Sequence, residues 1–170
     1  MEKLSYLKHI EKVFSNNFNM EFNKTLMNKK LDIYGVWNMK FGRTFISKNK
    51  VIDQYECNEH CLVIDEDKVD EKNLDDFINY LKECAINLVK PNRYHKTTYI
   101  TGILIANEIS NKDLIKKIKR FNYIKNYRMS FYGWCILRLV VVDFHNRKIY
   151  CNKISKDIAS NLTFDKVSTI

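Results

Sequence analysis

The sequence predicts an α+β fold: a single domain with a mixed, largely antiparallel sheet flanked by about three to four helices. The run FYGWCILRLVVVDF at 131–144 is apolar on both faces of an extended strand, which is typical of the centre of a covered sheet. Helical and extended patterns alternate along the rest of the chain. With one proline, four glycines and no linker-like stretch, the 170 residues are expected to form one domain.

The residue pattern of the first half of the chain predicts a helix, a strand meander and a second helix. Apolar residues at helical spacing, beginning at Leu4 and Leu7, predict an amphipathic helix over residues 1–16. An acidic loop over 65–76 is expected to lead into a helix over 73–89, with Asn73 as its N-cap. Between the two helices, alternating apolar residues predict a meander of four antiparallel strands within 18–64, at 18–22, 31–38, 43–47 and 51–64.

The second half predicts strand, helix and further strands over 97–152, followed by a short C-terminal tail. Residues 97–105 have the pattern of a buried strand, and Ser110 is expected to cap a short helix. Because a strand–helix–strand unit crosses over in a right-handed sense, two strands of this region can lie parallel. A turn is expected at His145 and Asn146, and the extended segments are 123–131, 134–144 and 147–152.

The charge of the chain is strongly uneven. Its formal net charge is +9, yet residues 1–89 sum to −2 and residues 90–170 to +11. A positive field of this kind attracts nucleic acid, anionic membrane surfaces or acidic proteins. The abundance of Lys, Asn and Ile offers another explanation, because the codons of an AT-rich genome favour these residues.

The expected location follows from the start of the chain and from its longest apolar run. The first residues, MEKLSYLKHIEKVF, lack the continuous apolar stretch of a signal peptide. The longest apolar run is shorter than the roughly 20 residues of a membrane helix. A cytoplasmic protein without a membrane partner is therefore expected, and its five cysteines are expected to be free thiols.

Arg138 interrupts the central apolar strand and needs a partner there. A guanidinium stays protonated, so its burial requires a carboxylate or carbonyl oxygen or a bound anion. A structural ion pair and a ligand contact are both open. If strand residues converge at one edge of the sheet, they form a polar site consisting of Glu59, His95, Lys96, Arg138 and Asp143.

Sequence patterns for catalysis argue against an enzyme. The chain has no P-loop, no glycine-rich dinucleotide turn and no G-x-S-x-G elbow, and no cofactor is expected. A metal-dependent nuclease would need a lysine two residues after a strand carboxylate, and Asp53 and Glu59 are the nearest carboxylates. Glu59 is followed by His60 and Cys61 instead. The cluster of Cys57, His60 and Cys61 is a weak metal candidate, because His60 points away from the thiols on a strand.

The segment 112–128 is a candidate nucleic-acid interface. Tyr123 and Tyr127 in the segment, and Tyr132 in the extended stretch that follows, are available for stacking on unpaired bases. The alternative is a solvated helix face whose neighbouring tyrosines pack on the core. The cations of the segment are Lys112, Lys116, Lys117, Lys119, Arg120, Lys125 and Arg128.

The region 90–153 carries a family resemblance. Its pieces KPNRYHKTTYITGILI, FYGWCILRLVVVDF and KIYCNK, with NEHCLVI at 58–64, resemble a family of uncharacterised small proteins from low-GC Gram-positive bacteria. The family is a domain of unknown function, so the resemblance implies an origin and no activity. The expected function is a non-enzymatic binding or assembly module that self-associates or captures a protein. Nucleic-acid binding is the alternative, and a metal-dependent nuclease is a third hypothesis.

Overall fold

The computed structural model describes residues 3–44, 51–109 and 111–169, in which a seven-stranded sheet has helices on both faces. This confirms the α+β prediction with a mixed sheet. The helices are α1 (Lys3–Ser15), α2 (Glu71–Asn87), α3 (Lys112–Arg120) and α4 (Lys156–Asn161), with 3-10 helices at Lys153–Ser155 and Phe164–Thr169. The strands are β1 (Asn19–Leu26), β2 (Lys29–Thr44), β3 (Val51–Val69), β4 (His95–Ile109), β5 (Ile124–Asn126), β6 (Trp134–Asp143) and β7 (Lys148–Cys151). None of the helices within the described ranges is long and apolar enough to cross a membrane.

The sheet is mixed because its centre is parallel and its sides are antiparallel. The strand order is β1-β2-β3-β4-β6-β5, and β7 also pairs with β6. The pairs β3–β4 and β4–β6 are parallel, and the other pairs are antiparallel. Helices α2 and α3 form the long connections that the parallel pairs need. The predicted strand–helix–strand unit is therefore β4, α3 and β6.

Each face of the sheet is buried by a different set of helices. Leu137 and Leu139 of β6 belong to the core formed with α2 and α3, which we call the α2 face. Val140 and Val142 belong to the core formed with α1 and the C-terminal helices, which we call the α1 face. This alternation is the one expected for a strand that is covered on both sides.

In the described residues, the meander has three strands where the sequence predicts four. The predicted strands 31–38 and 43–47 both fall in β2, which runs without a break as far as Thr44, and residues 45–47 lie outside the described residues. Gly42 does not interrupt the strand, because it keeps its pairing with Gln54 of β3.

Helix α2 begins earlier than the sequence predicts. The predicted acidic loop over 65–76 contains the end of β3 and the first turn of α2. Asp65 is tolerated in a strand because it pairs with Lys3 of α1. Asp70, and not Asn73, caps the helix, since its Oδ1 accepts a hydrogen bond from the backbone N–H of Asn73 at 2.8 Å.

The region around α3 also differs from the prediction. Ser110, the predicted cap, lies outside the described residues, and Asn111 caps α3 by accepting from the backbone N–H of Leu114 at 3.0 Å. Of the predicted extended segment 123–131, only β5 is a strand. Residues 128–130 have φ angles of 45°, 53° and 74°, and this left-handed run cannot continue a strand.

The predicted short tail after residue 152 is helical. Its helices bury Ile158, Leu162 and Phe164 against the α1 face. Tyr6 stacks on Phe164 with ring centroids 4.8 Å apart and donates its hydroxyl to the carbonyl of Leu162 at 2.6 Å. Helix α4 has only six residues, which is too short for a helical period to be visible in the sequence.

Gly133 determines how the chain enters β6. Its φ is +71°, and a Cβ at this position would overlap the backbone carbonyl of Lys96. This close approach holds the turn at 127–133 against β4, where His95 Nδ1 donates to the carbonyl of Tyr132 at 2.6 Å. Glycine is therefore required here by its conformation and by the available space.

Gly133→Ala should lower the free energy of unfolding by at least about 2 kcal/mol, because the new Cβ adds left-handed strain and meets backbone that cannot move aside. Urea denaturation measures the loss. Ser130, exposed and with a φ of 74°, provides the matched control, since Ser130→Gly relieves strain and should not reduce stability. Full stability of Gly133→Ala would contradict this account of the turn.

Candidate functional site

One half of the α1 face carries large side chains at the surface. Helix α1 and the C-terminal helices cover the half that contains Ile33, Val63 and Ile103. In the other half, the same alternation along β2, β3, β4 and β6 leads mostly to residues that are half-buried or exposed, with Glu59 and Thr97 buried among them. We call this surface the open face; it consists of Trp37, Met39, Phe41, Tyr55, Tyr99, Trp134 and Ile136.

The side chains of the open face form rows across neighbouring strands. The strand register places Trp37 of β2 beside Glu59 of β3, and Glu59 beside Tyr99 of β4. Farther along the β2–β3 pair, Phe41 stacks on Tyr55 with ring centroids 4.8 Å apart. Phe41 is 37% exposed, so the stacked pair reaches solvent. The open face is therefore a sheet surface with aromatic side chains on several neighbouring strands.

A buried ion pair lies between the covered half and the open half. Arg138 Nη1 donates to Glu59 Oε1 at 3.1 Å, and each side chain is only 12% exposed. The hydroxyl of Thr101 donates to the same oxygen at 2.5 Å. The Arg138 guanidinium also lies 3.8 Å from the ring centroid of Tyr99 and contacts Asp157 of α4 at 3.4 Å. Glu59 thus provides the carboxylate that the burial of Arg138 demands.

The five residues of the predicted polar site do not all meet. His95 faces the opposite side of the sheet, where its Nε2 lies 2.9 Å from the hydroxyl of Thr98. Asp143 lies at the far end of β6 and accepts from the backbone N–H of Asn146 at 3.0 Å. Both are separate from the arrangement around Arg138. The residues that share the α1 face are Glu59, Lys96 and Arg138.

The cluster of Cys57, His60 and Cys61 is divided by the sheet. Cys61 is buried in the core of the α1 face, whereas His60 Nδ1 lies 2.8 Å from the hydroxyl of Tyr34 in the core of the α2 face. Burial lowers the pKa of His60 to about 4 and raises the pKa of both thiols, so all three side chains are neutral at pH 7. Across the described ranges, no three His, Cys, Asp or Glu side chains are placed to hold a metal ion.

The central lysines of α3 are paired with carboxylates. Lys117 contacts Asp75 of α2 at 2.7 Å, and Lys116 contacts a carboxylate of its own helix at 2.9 Å. The predicted stacking residues Tyr123 and Tyr127 pack against the core of the α2 face, and burial raises the pKa of Tyr127 to about 12. Among the predicted cations of α3, those without a carboxylate at ion-pair distance in the described residues are Lys112, Lys119 and Arg120.

A second group of cations lies near the ends at which β4 and β6 begin, which we call the lower rim, and one of them, Lys96, borders the open face at the ring of Tyr55. The contact of Gly133 with the backbone of Lys96 joins the turn at 127–133 to β4 here. Within the described ranges, these cations have no carboxylate at ion-pair distance. Each lies 4.5 to 4.8 Å from a ring centroid: Arg93 from Tyr94, Lys96 from Tyr55 and Arg128 from Tyr132.

Sequence reasoning misses the aromatic part of this site. Trp37, Met39 and Phe41 alternate along β2 as buried core residues do, so the pattern alone gives no sign of exposure. The relative lengths of the elements carry the missing signal. A 13-residue helix such as α1 is roughly 20 Å long, whereas the 16 residues of β2 span roughly 53 Å. Part of such a strand extends beyond the helix that covers it.

A protein-family model described as a domain of unknown function (DUF8052) matches residues 2–164. The chain belongs to this family. No curated protein and no solved structure matches the chain. The match confirms the predicted resemblance to a family of unknown function. In this chain the DUF8052 domain includes the whole sheet, the open face, the lower rim and α4.

Arg138→Met should lower the free energy of unfolding of this DUF8052 domain by about 3 kcal/mol, because Glu59 stays buried without its cation. Guanidinium chloride denaturation measures the change. The double variant Arg138→Met, Glu59→Leu removes both charges and should recover most of the loss. If the single variant is as stable as the wild type, the ion pair does not support the fold.

Proposed function

We propose that this protein is a non-enzymatic binding module that holds single-stranded nucleic acid on its open face and lower rim. The observation that carries the proposal is that Lys96 lies over the ring of Tyr55 on the open face, and that Arg93 and Arg128, near the same strand ends, also lie over rings. The flat faces of bases stack on exposed aromatic side chains, and the phosphates between the bases attract cations. The open face offers the rings, and the lower rim offers the cations.

A single strand suits this surface better than a duplex does. Trp37 and Tyr99 lie in one row of the sheet, and Trp134 lies in the next row. In a duplex the bases are stacked on one another, so their faces are inaccessible to such rings. A duplex would contact only the cations of the lower rim through its phosphates. A difference in affinity between the two forms therefore reports whether the rings take part.

The chemistry of the buried polar groups supports binding rather than catalysis. Glu59 Oε1 already accepts hydrogen bonds from Arg138 and Thr101, so its charge is compensated inside the fold. Both ring nitrogens of His95 are engaged as well, with Tyr132 and Thr98. General acid–base catalysis needs such a group to be within reach of a substrate.

A protein partner, including a second copy of this chain, is the competing occupant of the same surface. Trp, Tyr and Arg are enriched at the centres of protein interfaces. Lysine is depleted there, however, and the lower rim presents Lys96 beside the rings. The combination of cations with rings therefore favours nucleic acid.

Labelled single-stranded RNA should bind the protein more tightly than duplex DNA in a fluorescence-anisotropy titration. Trp37→Leu and Trp134→Leu should each weaken RNA binding about tenfold, since stacking of one base contributes about 1–3 kcal/mol. Lys96→Gln and Arg128→Gln should each reduce the slope of log affinity against log salt by about one.

The matched controls are Lys112→Gln and Arg120→Gln, which remove exposed cations of α3 and should leave RNA affinity nearly unchanged. Thermal unfolding verifies that every variant is folded. Absence of RNA binding at low salt would overturn the proposal, as would an equal loss in the α3 controls. Dimerisation that Trp134→Leu abolishes, without any RNA binding, would assign the open face to a second copy of the chain.

A further inference from the structure

A cleft lies on the side of α4 that faces away from the open face, and it is lined by β7 and by the C-terminal helices. Its volume is about 420 Å³, and a smaller cleft of about 260 Å³ adjoins it at Arg147 and Phe164. Helix α4 separates the cleft from the open face, because Asp157 contacts Arg138 while Lys156 and Ser160 line the cleft. We propose that this β7 cleft is a separate binding site for a small organic anion with an apolar body.

The floor of the β7 cleft is apolar and firmly packed. Phe164 is 5% exposed and is held by its stacking on Tyr6, with ring centroids 4.8 Å apart. Ile149 of β7 and Ala159 of α4 line the same cleft. A volume of this size lies within the range of about 300–1,000 Å³ that is usual for small-molecule sites. An aliphatic or aromatic body would bury apolar surface against this floor.

Two cations line the cleft from different elements. Arg147 ends the turn before β7, and Lys156 begins α4. In the part of the chain that the structure describes, neither has a carboxylate within ion-pair distance, although Asp165 also lines the cleft. The Arg147 guanidinium lies 5.6 Å from the ring centroid of Phe164, which places positive charge directly beside the apolar floor.

The arrangement identifies the chemistry of the ligand. Two cations beside an apolar floor favour an anionic group attached to a hydrocarbon or aromatic body. Carboxylate and phosphate groups both satisfy these cations, so the shared chemistry is that of an organic anion. Thr163 also lines the cleft, and a hydroxyl is a donor suited to either anion.

Anilinonaphthalene sulfonate, a fluorescent anion with an aromatic body, is the probe for the first experiment. Its fluorescence should rise in a saturable manner as the protein is added. Arg147→Glu and Lys156→Glu should each weaken the binding about tenfold, through loss of one charge-assisted contact. Lys153→Glu is the matched control, because this exposed lysine is not among the residues that line the cleft. It should leave the affinity nearly unchanged.

A second variant distinguishes the β7 cleft from the open face. Trp134→Leu should leave binding of the probe intact if the probe occupies the cleft. Loss of binding in Trp134→Leu together with full binding in Lys156→Glu would overturn the proposal, because the probe would then report the open face.

Protection of Cys151 provides a readout that does not depend on the probe. Cys151 is half-buried and lines the cleft, whereas Cys61, Cys84 and Cys135 are buried. In a Cys57→Ser background, its alkylation by iodoacetamide is followed by mass spectrometry. Octanoate and octyl phosphate should slow the reaction, and the more effective of the two identifies the preferred anion. Equal protection by uncharged octanol would overturn the role of the cations, and absence of protection by either anion would overturn the site.

Discussion

The fold depends on the burial of both faces of β6. A strand with two apolar faces needs cover on each side of the sheet, and the topology determines what provides it. Because β3, β4 and β6 are added in one direction, their right-handed crossovers place α2 and α3 on the same face. The opposite face is left to the two ends of the chain, α1 and the C-terminal helices. These terminal helices are short relative to the strands, so part of that face keeps its side chains at the surface.

Arg138 lies where this cover ends, and its side chain is suited to both environments. Its contact with Glu59 is buried and contributes to stability, whereas its contact with Asp157, which is 63% exposed, contributes little. Its guanidinium also lies over Tyr99, a residue of the open face. Arg138 therefore belongs to the ion pair and also contacts the open face. Substitutions at Tyr99 would disturb the ion pair as well as the open face, which makes Trp37 and Trp134 the better positions for testing the proposed binding.

The sequence predicts the long elements, whose apolar residues repeat with a clear period. It does not predict the short elements or the contacts that depend on which strands pair. The apolar stripes of α1 and α2 and the two-faced run of β6 predict their own structure. Helix α4 is too short to show a helical period. The left-handed run at 128–130 contains no glycine from which it could be predicted. Burial predicts that Arg138 needs a carboxylate, a carbonyl oxygen or a bound anion as its partner. That the carboxylate is Glu59, 79 residues earlier, depends on the pairing of β3, β4 and β6.

The fold brings some cations of the basic half next to carboxylates of the acidic half and leaves others unpaired in the described residues. Lys117 of the basic half pairs with Glu71 and Asp75 of the acidic half, so part of the positive excess is cancelled on the α2 side. The cations at the lower rim are free of such partners in the described residues, and Arg93 and Arg128 lie over rings there. Codon usage is an alternative explanation for the number of lysines, but it does not explain the position of a cation such as Lys96, which lies over the ring of Tyr55 on the open face. The placement of the cations, more than their number, favours a role in binding.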